Sequence, residues 1–128
     1  MYKRQVYQWN NYGIYIDGTH NPIKNSVLSL NGHLRFSEQD SEFFNYLQPY
    51  ETHKCTPKDG INVYSFALNP LDHQPSGTCN FSRIDTSTLE LKFDNIVPSI
   101  SNNELTFFTL NYNILRIMEG LGAIAFNT

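Results

Sequence analysis

Eight residues, Ile61-Asn-Val-Tyr-Ser-Phe-Ala-Leu68, constrain the fold more than any other stretch. β-Branched and aromatic side chains favour an extended backbone. Strand alternation sets Ile61, Val63, Ser65 and Ala67 on one side, and Tyr64, Phe66 and Leu68 on the other. Both sides carry apolar groups, which predicts a strand inside a packed sheet. Asn69-Pro70 ends it, because proline removes a ladder donor.

The same grammar recurs along the chain. Ser26–Leu30 is a β-like run closed by Asn31-Gly32, a pair that supplies the positive φ angles of a tight turn. Thr88-Leu-Glu-Leu-Lys-Phe93 alternates, with Leu89, Leu91 and Phe93 facing in and Glu90 and Lys92 facing water. Leu105–Met118 reads as one long strand, or two joined by a bend near Asn111–Asn113. Gly120–Phe126 gives a last short strand. Ile114, Ile117, Met118 and Leu121 also fit a helical stripe, but asparagine and aromatics precede it and glycines follow. Helix is expected only where Ser37-Glu-Gln-Asp40 offers a cap and acidic first turn, and Pro49 is expected to stop it after one or two turns. Leu71–Asp85 is loop-like, with a turn at Pro75-Ser76-Gly77. The sum is an all-β fold, a sandwich or barrel of the jelly-roll or immunoglobulin kind.

At 128 residues, one domain fits and two would be cramped. Charged residues are 16% and aromatics 14%. Disordered chains show the reverse bias. The net charge of −3 gives no basic face, which disfavours nucleic-acid binding through phosphates. No apolar run is long enough to span a membrane, and the first ten residues lack the apolar core of a signal peptide. Cys55 and Cys79 are too few for a disulfide framework and are expected as free, buried thiols in a reducing compartment.

Candidate chemistry is sparse. His20, His33, His53 and His73 lack metal-site spacing, and Asp72-His73 alone makes a poor ligand pair. His33, His53 and His73 fall in expected loops. Cys79 with His73 as base lacks a glycine-framed nucleophile turn. Gly120-Leu-Gly-Ala-Ile-Ala125 matches a dinucleotide pattern in letters, yet no helix can follow it to hold a pyrophosphate. Arg83 and Asp85 would share one strand face as a charge pair. Asn80-Phe81-Ser82 is a glycosylation pattern expected to stay unmodified. No catalytic, cofactor-binding or metal-binding residue is therefore assigned, and no cofactor is expected.

Five stretches carry a resemblance. They are Leu30-Asn-Gly-His-Leu-Arg-Phe36, Phe44-Asn-Tyr-Leu-Gln-Pro-Tyr50, Gly60–Pro70, His73–Asp85 and Asn111-Tyr-Asn-Ile-Leu-Arg-Ile-Met118. In that order they closely resemble the C-terminal jelly roll of the major capsid proteins of nucleocytoplasmic large DNA viruses. His73–Asp85 is the most specific piece, and the likeness runs from about Asn21 to Asn127.

The resemblance implies a structural protein and not an enzyme. Family members look like tandem jelly rolls that form trimers with a pseudo-hexagonal outline. These capsomers tile an icosahedral shell over an internal membrane. The implied partners are other copies, neighbouring capsomers and minor capsid proteins, with no direct nucleic-acid contact and no small-molecule substrate. The implied location is the virion, assembled in the host cytoplasm. Residues 1–128 are expected to form a single C-terminal jelly roll, incomplete at its N-terminus, with 1–20 left unassigned. Such a unit would leave unpaired edges and an open apolar face, and would associate. Tyr and Phe outside the core are expected at subunit contacts. A carbohydrate-binding jelly roll could use Trp9 and asparagines for sugars. A cupin-like enzyme would need histidines clustered on adjacent strands.

Overall fold

The computed structural model describes residues 10–15, 17–96 and 104–126. Strand and irregular chain dominate among the described residues, and helix is confined to one stretch around Phe43–His53 and a 3-10 turn at Phe81–Arg83. Within the described residues no helix is long and apolar enough to cross a membrane.

The first sheet is built on β1 (Ile23–Leu30). Asn31 and Gly32 take φ of 50° and 79°, the left-handed pair expected of Asn-Gly, and turn the chain into β2 (His33–Leu34). Leu30 pairs with His33 and Ser29 with Leu34. β3 (Gln39–Asp40) returns antiparallel to Asn25 and Ser26. β4 (Ser87–Phe93) covers the length of β1 in antiparallel register, with a bulge between Ile23 and Asn25. Leu89, Leu91 and Phe93 share one face as expected. Leu89 and Phe93 nevertheless remain 42% and 44% exposed, so this face is only partly covered.

The helix departs from expectation. It runs from Ser41 to His53, not one or two turns from Ser37. Pairing with β1 holds Gln39 and Asp40 extended, so the start slips downstream, where the Asp40 carboxylate accepts the Ser41 amide at 2.9 Å. The middle, Phe43–Leu47, is a π-helix, followed by α1 (Gln48–His53). Pro49 lies inside and does not stop it. A five-residue repeat would send a residue-49 amide to the Phe44 carbonyl, but proline has no such donor. The Val63 amide occupies that carbonyl instead, at 2.9 Å. Lys54, left-handed at φ 61°, terminates the helix.

Ile61–Leu68 is not a strand. It is half-buried as far as Ala67, but its backbone bonds go to the helix: the Val63 amide to Phe44, and the Ile61 carbonyl to Asn45 Nδ2 at 3.0 Å. Asn45 is 1% exposed and its Nδ2 also donates to the Lys58 carbonyl at 3.2 Å. Side-chain alternation survives, because Tyr64 and Phe66 rings meet edge to face at 5.0 Å.

Leu105–Met118 yields a strand only at its end. β5 (Leu115–Met118) pairs with β6 (Leu121–Ile124) through a turn at Glu119 and Gly120, whose φ values are 51° and 82°. The helical alternative for Ile114–Leu121 fails here. This hairpin forms a separate two-stranded sheet. Residues 1–9, part of the segment left unassigned from sequence, lie outside the described residues.

Candidate assembly surface

The interior is an aromatic row. Phe36 lies 5.2 Å from Phe44 and 5.1 Å from Tyr64, centroid to centroid. Phe43 meets Phe44 edge-on, and Phe66 meets Phe81 at 5.5 Å. Arg35 closes the row, its guanidinium 5.9 Å from the Phe66 ring and its Nε donating to Tyr64 Oη at 3.2 Å. Four of the five stretches that carry the resemblance thus converge on one row: Arg35-Phe36, Phe44, Tyr64-Phe66 and Phe81. Among the described residues the buried apolar side chains are few, Ile23, Phe44 and Pro49, so the row organises a thin core.

Polar clasps tie the N-terminal loop to this core. The His20 amide donates to Asp59 Oδ2 at 3.2 Å, and His20 Nε2 meets Asp94 Oδ2 at 3.2 Å. Tyr46 Oη donates to Asp59 Oδ1 at 2.5 Å, and the adjoining carboxylate pushes the phenol pKa up. Asp94 is held below the usual carboxylate range, first by the Ile96 amide and then by His20. The hollow beside Asp17, Thr19 and Lys58 is polar, but Thr19 already occupies Asp17 through its amide and hydroxyl.

The candidate chemical residues do not assemble. Among the described residues no three His, Cys, Asp or Glu side chains come together to hold a metal. His33 stands on β2 and His53 at the helix end, where its Nδ1 lies 2.7 Å from Thr52 Oγ1, so neither is in the loop expected for it. His73 and Asp72 are exposed in the 71–80 loop. Cys55 is exposed, not buried, because it leaves the helix just past the Lys54 cap; Cys79 is half-buried. Arg83 and Asp85 do not share a strand face. Phe81–Arg83 is a 3-10 turn capped by Asn80 Oδ1, and the Asp85 amide donates to Asn31 Oδ1 at 2.9 Å. Gly120–Ala125 belongs to the β5–β6 hairpin.

What the chain does present is apolar surface. Leu115, Ile117 and Ile124 crowd one face of the hairpin, at 69%, 72% and 59% exposed. Met118 and Leu121 on the other face exceed this range or fall within it. A second patch, Tyr46, Leu47 and Tyr50, lies along the helix. Sequence reasoning expected exposed aromatics without locating them. The Leu47–Tyr50 spacing was a usable signal only if the helix continued through Pro49.

Exposed apolar surfaces of this kind are what proteins use to associate. A family model described as Large eukaryotic DNA virus major capsid protein matches residues 2–123, and the chain belongs to that family. It is 50% identical over 108 residues to the major capsid protein of Phaeocystis pouchetii virus, covering 84% of this chain and 21% of that protein. Capsid protein 1 of Acanthamoeba polyphaga mimivirus is 43% identical over 129 residues, covering 95% of this chain and 22% of that protein. The solved structure of PBCV-1 VP54, fitted into a reconstruction of the virophage Sputnik, superposes with TM-score 0.69 at 32% identity. That match covers 83% of this chain and 30% of VP54. The quasi-atomic PBCV-1 capsid matches with TM-score 0.65 at 35% identity. The chain therefore spans about a fifth of the curated relatives named here. The fold is the capsid jelly roll, and the relatives are capsid components.

Proposed function

We propose that this chain is the C-terminal jelly-roll part of a capsid subunit, without enzymatic activity, that assembles into trimeric capsomers of pseudo-hexagonal outline. Its partners are copies of itself, neighbouring capsomers and minor capsid proteins, in a virion shell lying over an internal membrane and assembled in the host cytoplasm. Residues 1–128 act as one unit whose sandwich is completed by strands supplied from outside the described residues.

The observation that carries this reading is the β5–β6 hairpin. A two-stranded ribbon is marginal in water by itself. This one has apolar side chains on both faces, and its outer edges are unpaired among the described residues. The partly exposed Leu89–Phe93 face of β4 supports the same conclusion, since a sandwich buries such a face under a second sheet.

The test is a denaturing gel of purified particles, blotted with an antibody against the exposed Leu71–Asp85 loop. A band several times heavier than 14.8 kDa identifies a piece of a full double jelly roll. A band at the chain's own mass identifies a separate subunit completed by a partner. Particles without either band refute the capsid role for this gene product.

A further inference from the structure

The Asn31-Gly32 turn carries a chemistry that assembly does not use. In an Asn-Gly pair the glycine nitrogen can attack the side-chain amide carbon, because no Cβ on the second residue crowds the approach. Asn31 and Gly32 are both exposed, and a Cβ built on Gly32 would meet open space.

The fold nevertheless holds the reacting atoms apart. The φ values of 50° and 79°, between the paired residues Leu30 and His33, make a two-residue turn of the I′ type. The first residue of such a turn has ψ of about +30°. L-Chirality then sets the Gly32 nitrogen almost opposite Asn31 Cβ across the Cα–C bond, whereas a five-membered ring needs the two on the same side. The side chain is tied as well. Asn31 Oδ1 accepts the Asp85 amide at 2.9 Å and the Thr86 amide at 3.1 Å, and the Asn31 amide donates to the Thr86 carbonyl at 2.8 Å. These three bonds clasp the turn to the short segment between the Phe81–Arg83 turn and β4. Ring closure requires rotation about ψ and release of the side-chain amide from both donors.

We propose that Asn31 is a site of spontaneous deamidation gated by this clasp, reacting when the turn swings free of Asp85 and Thr86 while the rest of the chain stays folded. The Gly32 nitrogen gives up its proton and bonds to Asn31 Cγ. The Cγ–Nδ2 bond breaks, and the proton ends on the departing ammonia. Water then opens the cyclic imide at either carbonyl, giving aspartate or isoaspartate, with no oxidant or reductant involved. Isoaspartate carries an extra methylene in the main chain, which lengthens a two-residue turn and disturbs the Leu30–His33 pairing. The conversion is an irreversible record of openings at the seam between this turn and Asp85–Thr86.

Peptide mapping tests the gate. Trypsin releases residues 25–35 as one peptide, because Lys24 precedes it and Arg35 closes it. The same peptide holds Asn25, which lies in β1 and pairs with Asp40 and Lys92. The folded gene product that carries this sequence and the free synthetic peptide are incubated side by side at mildly alkaline pH. Mass spectrometry then follows amide-to-acid conversion at each asparagine. The folded protein should convert Asn31 about 10–100-fold more slowly than the peptide, since three hydrogen bonds must open first. Its ratio of Asn31 to Asn25 conversion should exceed the ratio in the peptide. Equal rates at Asn31 overturn the gate. An equal ratio means that conversion runs through global unfolding, and overturns it too. An Asn31 still intact after about 1,000 peptide half-lives overturns the site itself. Asp85→Pro removes one of the two amide donors. Once a thermal melt verifies that this variant is folded, its Asn31 should react about five times faster, with Asn25 unchanged. A folded Asp85→Pro variant with the wild-type rate at Asn31 overturns the clasp. Should that variant not fold, the ratio in the wild-type protein still decides.

Discussion

Asn45 is the most buried polar side chain among the described residues, and its loss tests the link between helix and Ile61 segment. It is 1% exposed, and its Nδ2 donates to the Ile61 carbonyl at 3.0 Å and the Lys58 carbonyl at 3.2 Å. The two acceptors are not equal. Lys58 also receives the Ile61 amide at 3.2 Å, so it keeps a donor when Asn45 is truncated. Ile61 has no second donor among the described bonds, so Asn45→Ala leaves a part-buried carbonyl unpaired, at about 1–3 kcal/mol. The space vacated adds a fraction of that, so the expected cost is about 2–3 kcal/mol, or a fall in Tm of roughly 8–12 °C for a domain of this size. Asn45→Asp separates hydrogen bonding from packing. It keeps the volume but aims a carboxylate at two carbonyls. Its folded-state pKa rises, so its penalty grows as pH climbs above the ordinary value of about 4. Melts of purified protein at pH 7 should rank wild type above Asn45→Ala and Asn45→Ala above Asn45→Asp, with Asn45→Asp recovering near pH 4. An Asn45→Ala melt within about 1 °C of wild type would refute the argument.

Other substitutions probe neighbouring links. Gly60 has φ +89° and an added Cβ would overlap the Tyr12 carbonyl, whereas Gly32 has φ +79° and open space around it. Gly32→Ala should cost the left-handed penalty alone, about 1 kcal/mol, and Gly60→Ala several times more, read from paired denaturant midpoints. Phe44→Ala removes the 4% exposed ring between Phe36, Phe43 and Tyr64 and should cost about 3–5 kcal/mol by the same titration. Asp94 and Glu38 both have folded pKa values lowered, by the Ile96 amide and by Lys92 respectively. Their contribution is present above the unfolded carboxylate pKa and lost as pH falls through the folded one, so Asp94→Asn should flatten Tm against pH in the acid range. Tyr46 has its folded pKa raised by Asp59, so its contribution holds below the ordinary phenol range and is lost as pH rises through the folded value. Tyr46→Phe should remove that alkaline loss in a pH-dependent melt.

Local features were legible in the sequence and non-local ones were not. Asn31-Gly32 dictates its own turn, and Leu89-Glu-Leu-Lys-Phe93 dictates its own alternation, so β1 and β4 stand where they were expected, while the turn carries His33 into β2 and out of its expected loop. Ile61–Leu68 has the residue types of a strand, but strand is a relation to a neighbour. Here the backbone partners are the Phe44 carbonyl and the Asn45 side chain, supplied by a helix that sequence reasoning had ended at Pro49. The two misreadings are one event. The helix passes Pro49 by widening to a π turn, and Val63 takes the acceptor that the wider turn leaves open. Cys55 follows from it as well, since a helix extending to His53 puts the thiol past its cap and into solvent.

The same reasoning explains why association was legible and its surface was not. The apolar residue types of Leu105–Met118 and Gly120–Phe126 showed that these strands carry apolar groups, and an aromatic content of 14% showed that the chain can supply apolar contacts. Neither could separate an inward face from an outward one. That separation comes from register: pairing Leu115 with Ile124 and Arg116 with Ala123 sorts the single charge onto one side. A one-residue slip of β5 would flip every side chain of the strand, setting Arg116 on the face of Gly122 and Ile124, where a sandwich would bury it, and turning Leu115 and Ile117 outward. The Glu119-Gly120 turn prevents the slip, because its two positive φ angles close the hairpin at Met118–Leu121 and nowhere else. A two-residue turn thus decides which face of the ribbon meets the interior and which remains for a neighbour.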